Sequence, residues 1–204
     1  MTHPLLKGFE KFRAENYESG SSLMPILTEI GQYPDYFVIS CIDSRSDPGT
    51  IFRPDPGTFL AHKAMGAIVR PYKKGTALAA ALQFAIEHNE IKEIIVLGHT
   101  GCGAIKALVE KIDDDEILSF VEVAKAGLEK AKRNCDAIMC THDELLRHTE
   151  EQIVLESGQN LRTYPSVVKA QEGGKVAIRL WLFDMGAGKV LEYCAESKEF
   201  TPLS

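Results

Sequence analysis

Two short segments of this chain carry residue types that could do chemistry together: Cys41-Ile42-Asp43-Ser44-Arg45 and His99-Thr100-Gly101-Cys102. Two thiols and one imidazole form a borderline-soft ligand set that leaves a fourth tetrahedral position open, as a catalytic zinc requires. One zinc ion per chain, held by Cys41, His99 and Cys102, is therefore the expectation. Asp43 and Arg45 add a carboxylate and a guanidinium whose planar fork can grip it bidentately. Blander readings stand beside this one. A single Cys at a strand end is usually a small buried hydrophobe, and Asp43 and Arg45 could be a plain ion pair. Gly98, Gly101 and Gly103 could cradle an anion at a helix N-terminus, although the Lys and Ser/Thr of a P-loop are missing. Cys135, Cys140 and His142 could suggest a second metal, but their spacings do not share one helix face, so packing or surface roles are expected.

The two motifs need elements that bring them together. Each follows an apolar run that reads as a strand: Tyr36-Phe37-Val38-Ile39-Ser40 before Cys41, and Ile94-Ile95-Val96-Leu97-Gly98 before His99. In an open parallel sheet, chemistry collects outside the carboxyl ends of the strands. Further strands are expected over 58–61, 175–183 and 190–193, the last two around a Gly186-Ala187-Gly188 turn. Helical spacing predicts an amphipathic helix over 4–17, with Leu5, Leu6, Phe9 and Phe12 on its stripe. A second helix capped by Ser22 should end near Gly31, and one capped by Thr76 should run to about Asn89. Another begins near Cys102 or Gly103, and others cover 115–133, 142–157 and 166–172. Strands alternating with helices argue for an α/β fold with a mostly parallel sheet flanked by helices. With no repeat, low-complexity tract or linker, residues 1–204 read as a single domain, a helical arm over 1–30 and an α/β core over 31–204.

Net charge is −6, and no block of Lys and Arg stands out, so nucleic acid and anionic membrane are poor partners. No apolar stretch is long enough to span a bilayer, and the first residues lack the layout of a secretory signal. Five cysteines without a disulfide-like framework suggest reduced thiols and a cytoplasmic protein.

Together the residues resemble a known family. Cys41-x-Asp43-x-Arg45 followed by Gly98-His99-x-x-Cys102-Gly103 is similar to the β-class carbonic anhydrases. Gln32 stands where that family carries an active-site Gln. Asn160 to Pro165 resembles its late helix–turn segment, and Trp181-x-Phe183-Asp184 with Gly188 its final hairpin. The resemblance implies reversible hydration of carbon dioxide to bicarbonate by attack of zinc-bound hydroxide. It implies Asp43 and Arg45 as the catalytic pair, and a closed state in which Asp43 takes the fourth zinc position. It implies a substrate pocket of Gln32, Leu60, Lys63, Met65, Phe84 and Gly103. It also implies a homodimer or higher homo-oligomer, with the N-terminal helix embracing a second subunit and the active site at that interface. The chain departs from the family at Lys63-Ala64-Met65-Gly66-Ala67, where Arg-Asn-Ala-Gly-Asn is usual. Leu60 and Phe84 stand where Phe and Tyr are common. Val38 and Lys63 replace the Trp and Arg of members that bind bicarbonate as an inhibitor, so that inhibitory site is expected to be missing. His62 and His88 are candidates for a proton shuttle. Hydrolysis of a carbon dioxide analogue such as carbonyl sulfide or carbon disulfide is the second enzymatic reading. A non-catalytic zinc-stabilised dimer is another, and a redox thiol protein is disfavoured because no Cys-x-x-Cys is present.

Overall fold

The computed structural model describes residues 3–20 and 22–203. Six strands form one sheet in the order β2-β1-β3-β4-β5-β6. They are β1 (Tyr36–Ser40), β2 (Phe59–Lys63), β3 (Glu93–His99), β4 (Ala177–Asp184), β5 (Lys189–Cys194) and β6 (Glu199–Pro202). β2, β1, β3 and β4 run parallel, and β5 and β6 add an antiparallel hairpin edge. The central strands are apolar throughout because both faces are covered. Phe37, Ile39, Ile94, Val96 and Leu182 belong to the main core. Val38, Ile95 and Leu97 turn to a smaller cluster with Ile51, Phe59 and Trp181.

The helices are α1 (Pro4–Tyr17), α2 (Leu23–Ile30), α3 (Pro48–Phe52), α4 (Ala77–Glu87), α5 (Gly103–Glu110), α6 (Asp115–Val121), α7 (Lys125–Ile138), α8 (His142–Leu161) and α9 (Pro165–Glu172). Thr76 caps α4 as expected, accepting the Ala79 amide. Ser22 does not cap α2; its hydroxyl donates to the Ser19 carbonyl at 2.6 Å instead. α1 and α2 contain no buried residue, so the apolar stripe of the arm faces outward.

Two expectations about the helices are corrected, and one strand is added. The single helix over 115–133 is two helices joined by a 3-10 turn at Glu122–Ala124. The turn re-aims α7 so that Gly127 lies against α8, where a Cβ would press on Glu156, and the Gly127 amide donates to that carboxylate at 2.8 Å. The helix over 142–157 runs on to Leu161, with Gly158 inside it where Leu180 approaches too closely for a side chain. β6 escapes notice in sequence because four residues with one apolar aromatic, Phe200, carry almost no periodic signal.

Cys135 and Cys140 are joined as a disulfide, which corrects the expectation of reduced thiols and of plain packing residues. Met139 adopts a left-handed conformation at the end of α7 and turns the chain back, placing the two Cα atoms 5.0 Å apart. Cys41, Cys102 and Cys194 are free.

Candidate metal centre

β1 and β3 are adjacent and parallel, so their carboxyl ends deliver both motifs to one place. The ligand atoms of Cys41, His99 and Cys102 lie within 4.8 Å of one another, and all three side chains are buried. Among the described residues no other group of His, Cys, Asp and Glu is gathered this way. The backbone makes this convergence possible at two glycines. A Cβ at Gly98 would collide with Val154, so only glycine lets β3 lie this close to α8. Gly101 takes φ +65° in the turn between His99 and Cys102, a conformation that costs glycine nothing.

The donor set fits a zinc ion. The two sulfurs are 4.0 Å apart, and two zinc–sulfur bonds at the tetrahedral angle call for about 3.8 Å. The His99 Nδ1 lies 3.0 Å from the Thr100 carbonyl, which fixes the proton there and leaves Nε2 as the donor. That Nε2 is buried and has no hydrogen-bond partner, as a ligand nitrogen should be. The two sulfurs interact electrostatically. Cys41 is drawn down to about 4 by hydrogen bonding from the Cys102 thiol, helped by His99 and by the amides of Asp43 and Gly66. Cys102 is pushed above the ordinary thiol range by the Cys41 sulfur and by burial. Here one thiol and one thiolate share a proton; ionising both sulfurs this close would call for a cation between them. His99 feels burial pushing it down, yet the Cys41 sulfur and the Thr100 carbonyl carry it up on balance.

Asp43 and Arg45 form a bidentate pair beside this cluster. Arg45 Nε donates to Oδ1 at 3.0 Å and Nη2 to Oδ2 at 2.7 Å. The Arg45 amide also donates to Oδ1 at 2.9 Å, so Asp43 caps the short 3-10 turn over Ser44–Ser46. Arg45 therefore holds the carboxyl well below the usual carboxylate range. Arg45 Nη2 further reaches the Gly101 carbonyl at 3.4 Å and ties the two motifs together. Asp43 is not among the clustered ligand atoms; its carboxylate is engaged by the guanidinium.

The expected pocket residues separate into groups. Met65 packs against the apolar cluster that includes Cys41, Ile68 and Cys102. Lys63 is scaffold as much as pocket: its Nζ donates to the Cys41 carbonyl at 3.2 Å and pairs with Asp47 at 2.9 Å. Gly103 opens α5 directly after Cys102. Leu60 packs instead against the main core. Phe84 lies exposed on α4, stacked on His88 at 5.3 Å, and Gln32 is exposed after α2. His62 is half-buried on β2 and held below the usual histidine range by burial.

Sequence reasoning passed over three participants. The Gly66 amide donates to Cys41 Sγ at 3.2 Å. Thr100 Oγ1 accepts the Met185 amide at 3.0 Å, while the Thr100 amide donates to the Phe183 carbonyl at 3.0 Å. Glu150, buried in α8, accepts the Cys102 amide at 3.0 Å, and burial pushes its carboxyl up to about 7 against that hydrogen bond. The one signal for Glu150 in sequence was its place on the α8 stripe with Ile153, Val154 and Leu161.

An α/β sheet carrying two Cys and one His at the carboxyl ends of adjacent strands, with an Asp–Arg pair alongside, is the arrangement of a metalloenzyme of the β-class carbonic anhydrase kind. The sequence profile of the carbonic anhydrase family matches residues 36–190, and the chain belongs to that family as an enzyme of its β class. It is 30% identical over 192 residues to a carbonic anhydrase of Synechocystis sp., covering 93% of this chain and 70% of that one. It is 28% identical over 207 residues to a carbonic anhydrase of Pseudomonas aeruginosa, covering 98% and 91%. Its fold superposes on the solved β-carbonic anhydrase CcaA with a TM-score of 0.88 at 27% identity, covering 98% of each chain.

Proposed function

We propose that this enzyme interconverts carbon dioxide and bicarbonate with one zinc ion held by Cys41, His99 and Cys102. The observation that carries this reading is the buried cluster of those three residues with an unpartnered His99 Nε2, beside the Asp43–Arg45 pair. Zinc, when bound, supplies a Lewis acid that lowers the pKa of a coordinated water from about 15.7 to about 7. The chain's own residues do the rest. Arg45 keeps Asp43 ionised and occupied, so the carboxylate accepts a hydrogen bond and stays off the open position. Met65 supplies apolar wall against the cluster that includes the two cysteines, suited to a small substrate without charge. With Lys63 committed to Asp47 and the Cys41 carbonyl, and Val38 buried in the sheet, bicarbonate is expected to be a weak inhibitor.

Met65 also supports the second enzymatic reading. A polarizable thioether beside the site, with Ala64 and Ala67 in place of amides, would favour a sulfur analogue such as carbonyl sulfide. Stopped-flow hydration of carbon dioxide and hydrolysis of carbonyl sulfide, measured on one zinc-loaded preparation, decide between them. The expected result is fast carbon dioxide hydration. Undetectable hydration alongside robust carbonyl sulfide hydrolysis would overturn the leading function.

The enzyme acts as a homodimer or a higher homo-oligomer, one α/β unit over 31–204 with a helical arm over 1–30. The protomer exposes 12278 Å², whereas a compact monomer of this size exposes about 9,500 Å². Leu5, Leu6 and Phe9, each more than half exposed, are the apolar surface that a second subunit would cover. Leu60 and Phe84 belong to the proposed substrate pocket on the family resemblance alone. Deleting residues 1–18 should shift the assembly toward monomer in light scattering; an unchanged oligomer would refute this role for the arm. No described helix is long and apolar enough to cross a membrane. A cytoplasmic location belongs to the same reading and stands against the Cys135–Cys140 disulfide, which an oxidising compartment favours. Thiol trapping in freshly lysed cells tests it: a reduced pair fits the cytoplasm, and a fully oxidised pair does not.

A further inference from the structure

Glu150 is a buried polar group for which the reaction has no evident use. The face that α8 turns inward carries Thr149, Glu150, Ile153, Val154, Ser157 and Leu161. Glu150 is only 5% exposed there, at a place where an apolar side chain would suit the core. A carboxyl so placed destabilises the fold unless hydrogen bonds satisfy it. Its Oε1 accepts the Cys102 amide at 3.0 Å. Cys102 is the residue that caps α5, yet its side chain makes no capping bond because its sulfur belongs to the cluster. Glu150 supplies from 48 residues away a main-chain anchor that local sequence does not offer.

The same helix anchors the other cysteine. Ser157 Oγ accepts the Val69 amide at 3.0 Å and donates to the Ala67 carbonyl at 3.2 Å. That fixes the segment whose Gly66 amide donates to Cys41 Sγ. α8 thus attaches directly to the Cys102 loop and, through Ala67 and Val69, to the segment whose Gly66 amide meets the Cys41 sulfur.

We propose that Glu150 is a positioning residue: by holding the Cys102 main chain it sets the Cys102 sulfur at the separation from Cys41 that a metal ion requires. This inference rests on the metal reading above. Residues that orient metal ligands typically change metal affinity or activity by about 10- to 100-fold when replaced. Three variants separate placement from charge and from packing. Glu150→Gln keeps an acceptor oxygen at the same reach. Glu150→Asp keeps the charge but is one methylene short. Glu150→Leu keeps the volume on an apolar stripe.

Zinc affinity by chelator competition, the absorption spectrum of the cobalt-loaded protein, and hydrogen exchange of the Cys102 amide are measured for each. The expected result is near-parental behaviour for Gln. Asp and Leu should show zinc affinity weaker by about 10- to 100-fold, an altered cobalt spectrum and faster exchange at Cys102. Parental zinc affinity and cobalt spectrum in Asp and Leu, whatever their melting temperatures, would overturn the proposal. So would an impaired Gln beside a parental Asp, since charge rather than placement would then matter. If Leu does not fold, the Gln and Asp pair still decides. A parent that takes up no zinc would refute the metal reading and is visible in the parent alone. The exchange comparison still decides whether Glu150 holds the Cys102 main chain.

Discussion

The two ligand loops reach one site by different means. The first is partly self-contained: Asp43 caps its own turn and grips Arg45 two residues away, while Lys63 and Gly66 bond Cys41 from the neighbouring strand and turn. The second is held almost entirely from outside. Thr100 is pinned by Phe183 and Met185, and Cys102 is pinned by Glu150. A loop built from near neighbours keeps its shape when the surrounding fold shifts, whereas a loop built from distant ones reports on the whole fold. Besides the contact between the two sulfurs, the link between them from Arg45 to the Gly101 carbonyl is long at 3.4 Å. Damage to either loop should therefore show a distinct signature.

The largest effect is expected from Cys102→Ala, which removes a ligand from the externally held loop. It should lose zinc and activity together, and full zinc occupancy in purified Cys102→Ala protein would contradict the ligand assignment. Next comes Arg45→Ala, which breaks the partly self-contained loop without touching a ligand. Freed Asp43 should then compete for the open position, so zinc content stays near one per chain while kcat/KM falls on the order of 100-fold. Parental turnover in that variant would remove the pair from the mechanism. Smaller effects should distinguish the supports of each loop. Thr100→Val leaves the Met185 amide unpaired and should cost about 1 kcal/mol in urea unfolding. Lys63→Met breaks a pair whose two side chains are more than a third exposed, so screening should hold its stability cost below about 1 kcal/mol. If Lys63→Met proves the more destabilising of the two, the first loop is not as independent as its bonding suggests.

The same difference explains what could be read in sequence. Cys41, Asp43 and Arg45 advertise themselves because the partners sit within five residues after an apolar strand. His99 and Cys102 were legible for the same reason. The parallel half of the sheet followed from apolar runs alternating with helical spacing. Glu150 was not legible, because its acceptor role depends on α8 crossing the end of β3, a contact no local pattern encodes. The role of Gly158 was hidden in the same way: it is a point of close approach to Leu180. The Cys135–Cys140 disulfide hinges on one left-handed residue, Met139, a conformation that its side chain does not announce. Lys63 entered the pocket through the family resemblance, which says nothing of its bond to the Cys41 carbonyl.

The central claim is that Cys41, His99 and Cys102 hold a zinc ion while Asp43 stays with Arg45. X-ray absorption at the zinc edge of the purified enzyme tests it most directly. The expected result is one zinc per chain with two sulfurs at about 2.3 Å, one imidazole nitrogen at about 2.0 Å and one further light atom. A carboxylate as that fourth ligand in the parent would contradict the placement of Asp43. Fewer than two sulfurs around the zinc would contradict the site itself.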